Sequence, residues 1–197
     1  MVDFCYWCKD RGVKALTVYG FTMSTWSREK KLVGFFLKIF EKLLSHNIKK
    51  YLKDKKWQSL GVKVRVLGNT QMLPLSLQKL ITQIEEATKD NDKLFLNLAI
   101  SYSGRWDILN AVRNIVKDGV KAEEINEDLF SRYLSTAGLP DPDFIIRTGG
   151  DQRLSNFELW QLARAELYFT KKLWPEFTEQ DLDQALADFD SRMQPLK

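Results

Sequence analysis

The chain has 197 residues, 44% hydrophobic and 28% charged, with a net charge of +4. This balance fits one domain over residues 1–197 with a sizeable core, and it excludes the strongly basic profile of a nucleic-acid-binding domain while admitting an anionic substrate. No apolar run is long enough to span a bilayer, and Asp3, Lys9, Asp10 and Arg11 interrupt any secretory leader near the start.

In chain order, FCYWCKDRG reads as the tail of a helix stopped by Gly12. Cys5 and Cys8 within it have the C-x-x-C spacing of a redox pair or half a zinc site. The same spacing fits one helix face, and buried thiols are the favoured reading. VKALTVYGF is rich in β-branched and aromatic residues and is a predicted strand, followed by the polar loop TMSTWSR. Residues 29–56 carry Leu32, Phe36, Ile39, Phe40, Leu43 and Leu44 at helical spacing. That helix is either a core helix or the wall of an apolar pocket. Its end, KKYLKDKK, reads as a solvated face, with attraction to a membrane surface as the weaker alternative.

VKVRVLG alternates like a half-exposed strand, and LSLQKLITQIEEATKD is an amphipathic helix. LFLNLAI is apolar almost throughout, as expected for a strand inside a parallel sheet. RWDILNAVRNIVKDG and NEDLFSRYLSTAG follow as helices, then the strand DFIIR, a predicted helix NFELWQLARAELYF and a last helix EQDLDQALADFDSRM. Strands alternating with helices predict an α/β fold with a mainly parallel sheet flanked by helices.

Ligands of such sheets bind beyond the carboxyl ends of the strands. Three polar segments lie there, TMSTWSR, SYSGRWD and RTGGDQRLSN. They should bring Arg28, Arg105, Arg147 and Arg153 to one rim, with Asp107, Asp151 and Glu166 close by in sequence. Guanidinium forks match phosphate oxygens, and Gly149 and Gly150 would let backbone N–H groups approach an anion. Ser155 and Glu158 fit a capping box, which would add a helix N-terminus to the site. The alternative is a surface Asp151–Arg153 pair on an ordinary turn. Glu166 suits a carboxylate that holds Mg²⁺ beside a diphosphate, or else an exposed residue paired with a nearby cation.

The blocks VKALTVYGF, LNLAISYSGRWDILNAVR and PDPDFIIRTGGDQRLSNFELWQLARAELYFTKKLWPEF carry a resemblance over nearly the whole chain. In them the sequence resembles the cis-prenyltransferases, the undecaprenyl diphosphate synthase family. The resemblance implies condensation of isopentenyl diphosphate with an allylic diphosphate such as farnesyl diphosphate. It also implies Mg²⁺ as cofactor, a homodimer or heterodimer, and an apolar tunnel for the growing chain. Arg147, Arg153 and Ser155 fall on the family's isopentenyl diphosphate positions, beside Gly149 and Asn156, and Glu166 falls on a metal-site position. Trp26 and Arg28 match the S-x-x-N-W-x-R loop, with Thr25 in place of its asparagine and Thr22 in place of its serine. Asp151 stands where glutamate is common, and Arg164 where the residue is usually aromatic or small.

No D-G-N-G segment occurs in these residues, so the resemblance implies a sheet lacking the family's first strand and its D-G-N-G-R-W loop. Arg192 lacks the glycine of the closing R-x-G motif. An enzyme is the expected reading because the R-T-G-G block is kept. A catalytically silent subunit of a heteromeric enzyme is the alternative, and a phosphate-binding module unrelated to prenyl chemistry is a third. Phe35 and Phe36 would limit product length to short or medium chains if their rings face the tunnel. A cytoplasmic location is expected, with membrane-associated and organellar placements open.

Overall fold

The computed structural model describes residues 2–54 and 58–193. Strand β3, Leu94–Tyr102, lies at its centre and is buried along most of its length. Its near-continuous apolar character, interrupted at Asn97 and Ser101, suits a strand covered on both faces. It pairs in parallel with β1, Ala15–Thr22, where Leu16 lies opposite Leu96, and with β2, Val62–Leu67, where Val64 lies opposite the same residue. The order is therefore β1-β3-β2. The parallel sheet flanked by helices agrees with the alternating pattern of the sequence.

Helix α1, Val2–Asp10, ends before Gly12, whose φ of +75° suits a residue without Cβ. Cys5 and Cys8 are buried free thiols on it, and burial raises them to about 11 and about 12 respectively. Their burial agrees with the core reading of these cysteines.

Helix α2 runs Lys30–Lys53; positions 55 and 56 of the expected span lie outside the described residues. It lies against α3, Leu75–Thr88, over one face of the sheet. Val33 and Leu44 of α2, Leu77 and Ile81 of α3, and Phe21 and Ile100 of the sheet form one core cluster. The i, i+4 spacing of Leu77 and Ile81 is what places both on one face. Helices α4, Gly104–Lys117, and α5, Glu127–Tyr133, build a second cluster from Ala111, Ile115, Phe130 and Leu134. The helix expected over 126–138 is thus shorter, since Leu134 already has extended backbone.

The segment 156–169 departs most from expectation. It holds no α-helix: Gln161–Arg164 is a 3₁₀ turn, and Glu166–Phe169 is strand β5. β5 pairs in parallel with β4, Phe144–Arg147, Phe144 lying opposite Glu166 and Arg147 opposite Phe169. The apolar spacing of the segment arises because Phe157 and Leu162 fill a cluster with Leu67, Ala99 and Tyr102. Tertiary packing and strand pairing override a helix-compatible pattern. The last helix, α6, is Glu179–Met193 as expected.

Among the described residues β1 bonds only to β3, and β4 only to β5. Tyr19 of β1 and Ile145 of β4 nevertheless share one hydrophobic cluster, and Leu16 and Ile146 share another with Phe4 and Cys8. Since side chains alternate along a strand, the two sheets meet through both faces without a hydrogen-bonded ladder between them.

Candidate active site

The carboxyl ends of β1, β3 and β4 each open into one of the three polar segments. After β1, Met23–Ser27 forms a 3₁₀ turn. Thr22 Oγ1 lies 2.8 Å from Ser24 Oγ and 2.9 Å from Thr25 Oγ1, so hydroxyls knit the turn together. Thr25 is buried there, and Arg28 is exposed. Trp26 packs edge-on against Phe21, with ring centroids 5.2 Å apart. Its Nε1 donates to Ser101 Oγ over 2.9 Å, which ties the first loop to the end of β3. Ser101 has a φ of 53°, in the left-handed region that costs a residue with a side chain. Gly68 after β2 lies so close that a Cβ there would stand 2.3 Å from the Ile100 carbonyl oxygen, a position only glycine can take.

The second and third segments are joined by Asn156. Its Nδ2 donates to Ser103 Oγ over 2.7 Å, and its Oδ1 accepts from the Arg105 N–H over 3.0 Å. Its carbonyl accepts from the Gly104 N–H over 2.8 Å. Ser103 also caps α4, accepting from the Trp106 N–H. The loop thus replaces water as the partner of the first-turn donors of α4. Gly104 allows this approach, because a Cβ there would meet Leu159 at 2.8 Å. Asn156 uses its amide to fix the loop, a role that spacing alone did not distinguish from contact with substrate.

Behind this seam, Asp107 is 1% exposed and accepts from Tyr102 Oη at 3.1 Å, from the Ser135 N–H and from Ser135 Oγ, both at 2.9 Å. Gln161 Nε2 adds a longer contact of 3.4 Å. Asp107 is a structural anchor inside the molecule, not a carboxylate on the rim. Tyr102 is pushed well above the ordinary phenol range, first by burial and then by the charge of Asp107.

The third segment gathers the cations. Arg147, at the end of β4, donates from Nη1 to Ser155 Oγ over 2.6 Å and from Nη2 to Asp151 Oδ2 over 2.9 Å. It also donates to the Arg153 carbonyl. Arg153 Nη1 donates to Asp151 Oδ1 over 2.9 Å. Arg147, Arg153 and Ser155 are therefore one connected group. Gly149 and Gly150 have φ of 91° and 83°, but their N–H groups donate to the carbonyls of Lys172 and Thr170. They shape the turn and do not offer free donors to an anion. No helix starts at Ser155, whose φ is 51°, so the expected contribution of a helix N-terminus is absent. The loop reverses through left-handed residues at 155, 156 and 158 instead.

Glu166 begins β5 and is half-buried, with Arg192 Nη1 donating to its Oε2 over 3.3 Å. One hard carboxylate fits Mg²⁺, which takes one or two carboxylates together with phosphate oxygens, but Arg192 competes for it. Phe36 packs into the core with Phe21, their rings 6.5 Å apart, while Phe35 is 59% exposed. Glu158 gave no catalytic signal in the sequence, yet it is 1% exposed, with neither carboxylate oxygen hydrogen-bonded. Burial raises its carboxyl to about 7. Asn97 Oδ1 is also buried without a partner.

Two arginines and a serine thus share a loop with left-handed backbone at the strand ends of an α/β protein, with donors of the kind that match phosphate oxygens. Residues 1–196 match the family model for undecaprenyl diphosphate synthase. The isoprenyl transferase of Fusobacterium nucleatum is 43% identical over 181 residues, 92% of this chain and 75% of the relative. The tritrans,polycis-undecaprenyl-diphosphate synthase of Pyrococcus horikoshii, described as geranylgeranyl-diphosphate specific, is 37% identical over 190 residues, 94% of this chain and 70% of the relative. The crystal structure of lavandulyl diphosphate synthase from Lavandula x intermedia, in complex with dimethylallyl diphosphate, superposes with a TM-score of 0.86 at 34% identity, covering 98% of this chain and 81% of the other. The chain belongs to the undecaprenyl diphosphate synthase family and is a cis-prenyltransferase.

Proposed function

We propose that the chain condenses isopentenyl diphosphate with an allylic diphosphate such as farnesyl diphosphate, giving a short or medium cis-polyprenyl diphosphate. The observation that carries this reading is the connected group of Arg147, Arg153 and Ser155 at the end of β4. Two forked cations and a hydroxyl suit the diphosphate of the isopentenyl substrate. The allylic carbon–oxygen bond breaks as the isopentenyl double bond attacks that carbon, and a proton leaves the new allylic unit. Trp26 and Arg28, with Thr25 behind them, border the rim where the allylic diphosphate departs. Arg28 is exposed and supplies a cation for that charge.

Glu166 would provide one ligand to Mg²⁺, with the others coming from diphosphate oxygens and from outside this chain. The metal, when bound, neutralises the departing diphosphate. The facing edges of β1 and β4, which share two clusters without pairing to each other, support the reading that a further strand with the D-G-N-G-R-W loop completes the sheet. A dimer is part of the same proposal. Leu109, Val112 and Val116 leave an exposed apolar stripe on α4 that a second subunit would cover. Among the described residues no helix is long and apolar enough to cross a membrane.

The alternative of a silent subunit in a heteromeric enzyme is supported by Thr25 standing where the family's loop has asparagine and by Arg192 Nη1 donating to Glu166 Oε2. A Mg²⁺-dependent assay with labelled isopentenyl diphosphate and farnesyl diphosphate separates the two. Extractable polyprenyl product from the full chain supports the enzyme. Folded protein that binds isopentenyl diphosphate but forms no product favours the silent subunit.

A further inference from the structure

The anion clamp already holds an anion from its own loop. Asp151 Oδ2 accepts from Arg147 Nη2 over 2.9 Å and lies 2.7 Å from Arg153 Nη2, while its Oδ1 accepts from Arg153 Nη1 over 2.9 Å. One carboxylate thus bridges both guanidinia, Arg153 through two nitrogens. Carboxylate and phosphate oxygens satisfy the same guanidinium fork, so Asp151 fills donor positions that an incoming diphosphate needs.

We propose that Asp151 is an internal competitor for the diphosphate site, holding Arg147 and Arg153 together and yielding at least one of them when a diphosphate enters. The inference rests on the reading of Arg147, Arg153 and Ser155 as the diphosphate clamp.

The two arms of the bridge differ. Arg147 is 21% exposed and is also bonded to Ser155 Oγ and the Arg153 carbonyl, contacts that do not involve Asp151. The Arg153 side chain is 65% exposed, and among the described residues its guanidinium bonds only to Asp151. Ion pairs this exposed are weak, because water screens them and two side chains must be ordered to form them. Arg153 is therefore the arm that changes partner. The geometry fixes the sign of the effect: removing the carboxylate removes a rival acceptor and one negative charge beside the ligand.

The test is calorimetric titration of the full chain with inorganic diphosphate, at low ionic strength and with EDTA present to exclude metal-dependent binding. Asp151→Asn should tighten binding roughly two- to fivefold, the scale of an exposed pair, and the gain should shrink as salt is raised. Asp151→Glu keeps the charge and should bind as the parent does. A gain in affinity is a result that damage to the loop cannot produce. Unchanged or weaker binding in Asp151→Asn would overturn the proposal and make Asp151 a spectator or a scaffold. Arg153→Gln serves as the control. It should weaken diphosphate binding. If it does not, the clamp reading itself fails; if it does while Asp151→Asn brings no gain, only the competitor role fails.

Discussion

Asn156 and Ser103 are 53 positions apart in the chain, yet the Asn156 amide donates to the Ser103 hydroxyl over 2.7 Å. This bond, with the one from the Arg105 N–H to Asn156 Oδ1, fastens the cation loop to the first turn of α4. Asn156→Ala removes both. The expected loss of stability is about 1–3 kcal/mol, the sum of two ordinary side-chain hydrogen bonds. KM for isopentenyl diphosphate should rise more than kcat falls, because the loop positions Ser155 and Arg147. Asn156→Asp retains the acceptor toward Arg105 and should recover part of the loss. Thermal melting together with steady-state kinetics checks this, and an unchanged KM in Asn156→Ala would remove the positioning role.

Glu158 predicts a pH dependence of stability. Its folded carboxyl is raised to about 7, whereas an unfolded glutamate titrates near its ordinary value of 4.5. The folded state therefore binds the proton more tightly. Its contribution is greatest below the unfolded value and is lost as pH rises toward and through about 7. The change is on the order of 3 kcal/mol across that window. Glu158→Gln should flatten this part of the profile, and Glu158→Leu should raise the melting temperature at pH 8. A parent protein whose stability is flat between pH 5 and pH 8 would contradict the buried, unpartnered state.

Arg147→Lys keeps the charge but gives up the fork that reaches Ser155 and Asp151 together. A lysine ammonium cannot reproduce a planar two-point contact. KM for isopentenyl diphosphate should increase ~10–100-fold, the scale of one or two charged hydrogen bonds. Full affinity in the lysine variant would show that charge alone is sufficient at this position.

Phe35 and Phe36 are separable by mutation. Phe36 lies in the core against Phe21, and Phe36→Ala should cost about 1–3 kcal/mol, less than a fully buried ring. Phe35→Ala should leave stability nearly unchanged because the ring is 59% exposed. If that ring borders the growing chain, the alanine variant makes longer products on thin-layer chromatography. Identical product lengths from both variants would end the proposal that these rings set chain length.

Much of the fold was legible because it follows from local pattern. The apolar run LFLNLAI became the central strand β3, and Leu77 and Ile81 placed α3 on the sheet by their spacing. The conjunction of Arg147, Arg153 and Ser155 was legible as well, since a short loop after a strand brings them together whatever follows. The spacing of residues 156–169 misled, because an apolar series at helical spacing is also produced by a turn that buries Phe157 and Leu162 and then joins β4 as a strand. That error carried others with it. Without a helix at Ser155 there is no helix N-terminus for the anion, and Glu166 sits on a strand beside Arg192.

The glycine pair shows the same division. Two adjacent glycines in R-T-G-G announce a backbone that needs positive φ, and the turn has it. Whether their N–H groups face a ligand depends on what lies opposite, and the carbonyls of Thr170 and Lys172 do. Residue type and spacing were sufficient for the strands, the helices and the cations at the rim, since those follow from side-chain periodicity and from charge placed just after a strand. The bridging carboxylate of Asp151, the seam made by Asn156 and the buried Glu158 depend on partners brought together across the chain. A hydrogen bond of 3 Å or the loss of solvent around a carboxyl is decided by three-dimensional packing, and no local pattern encodes it.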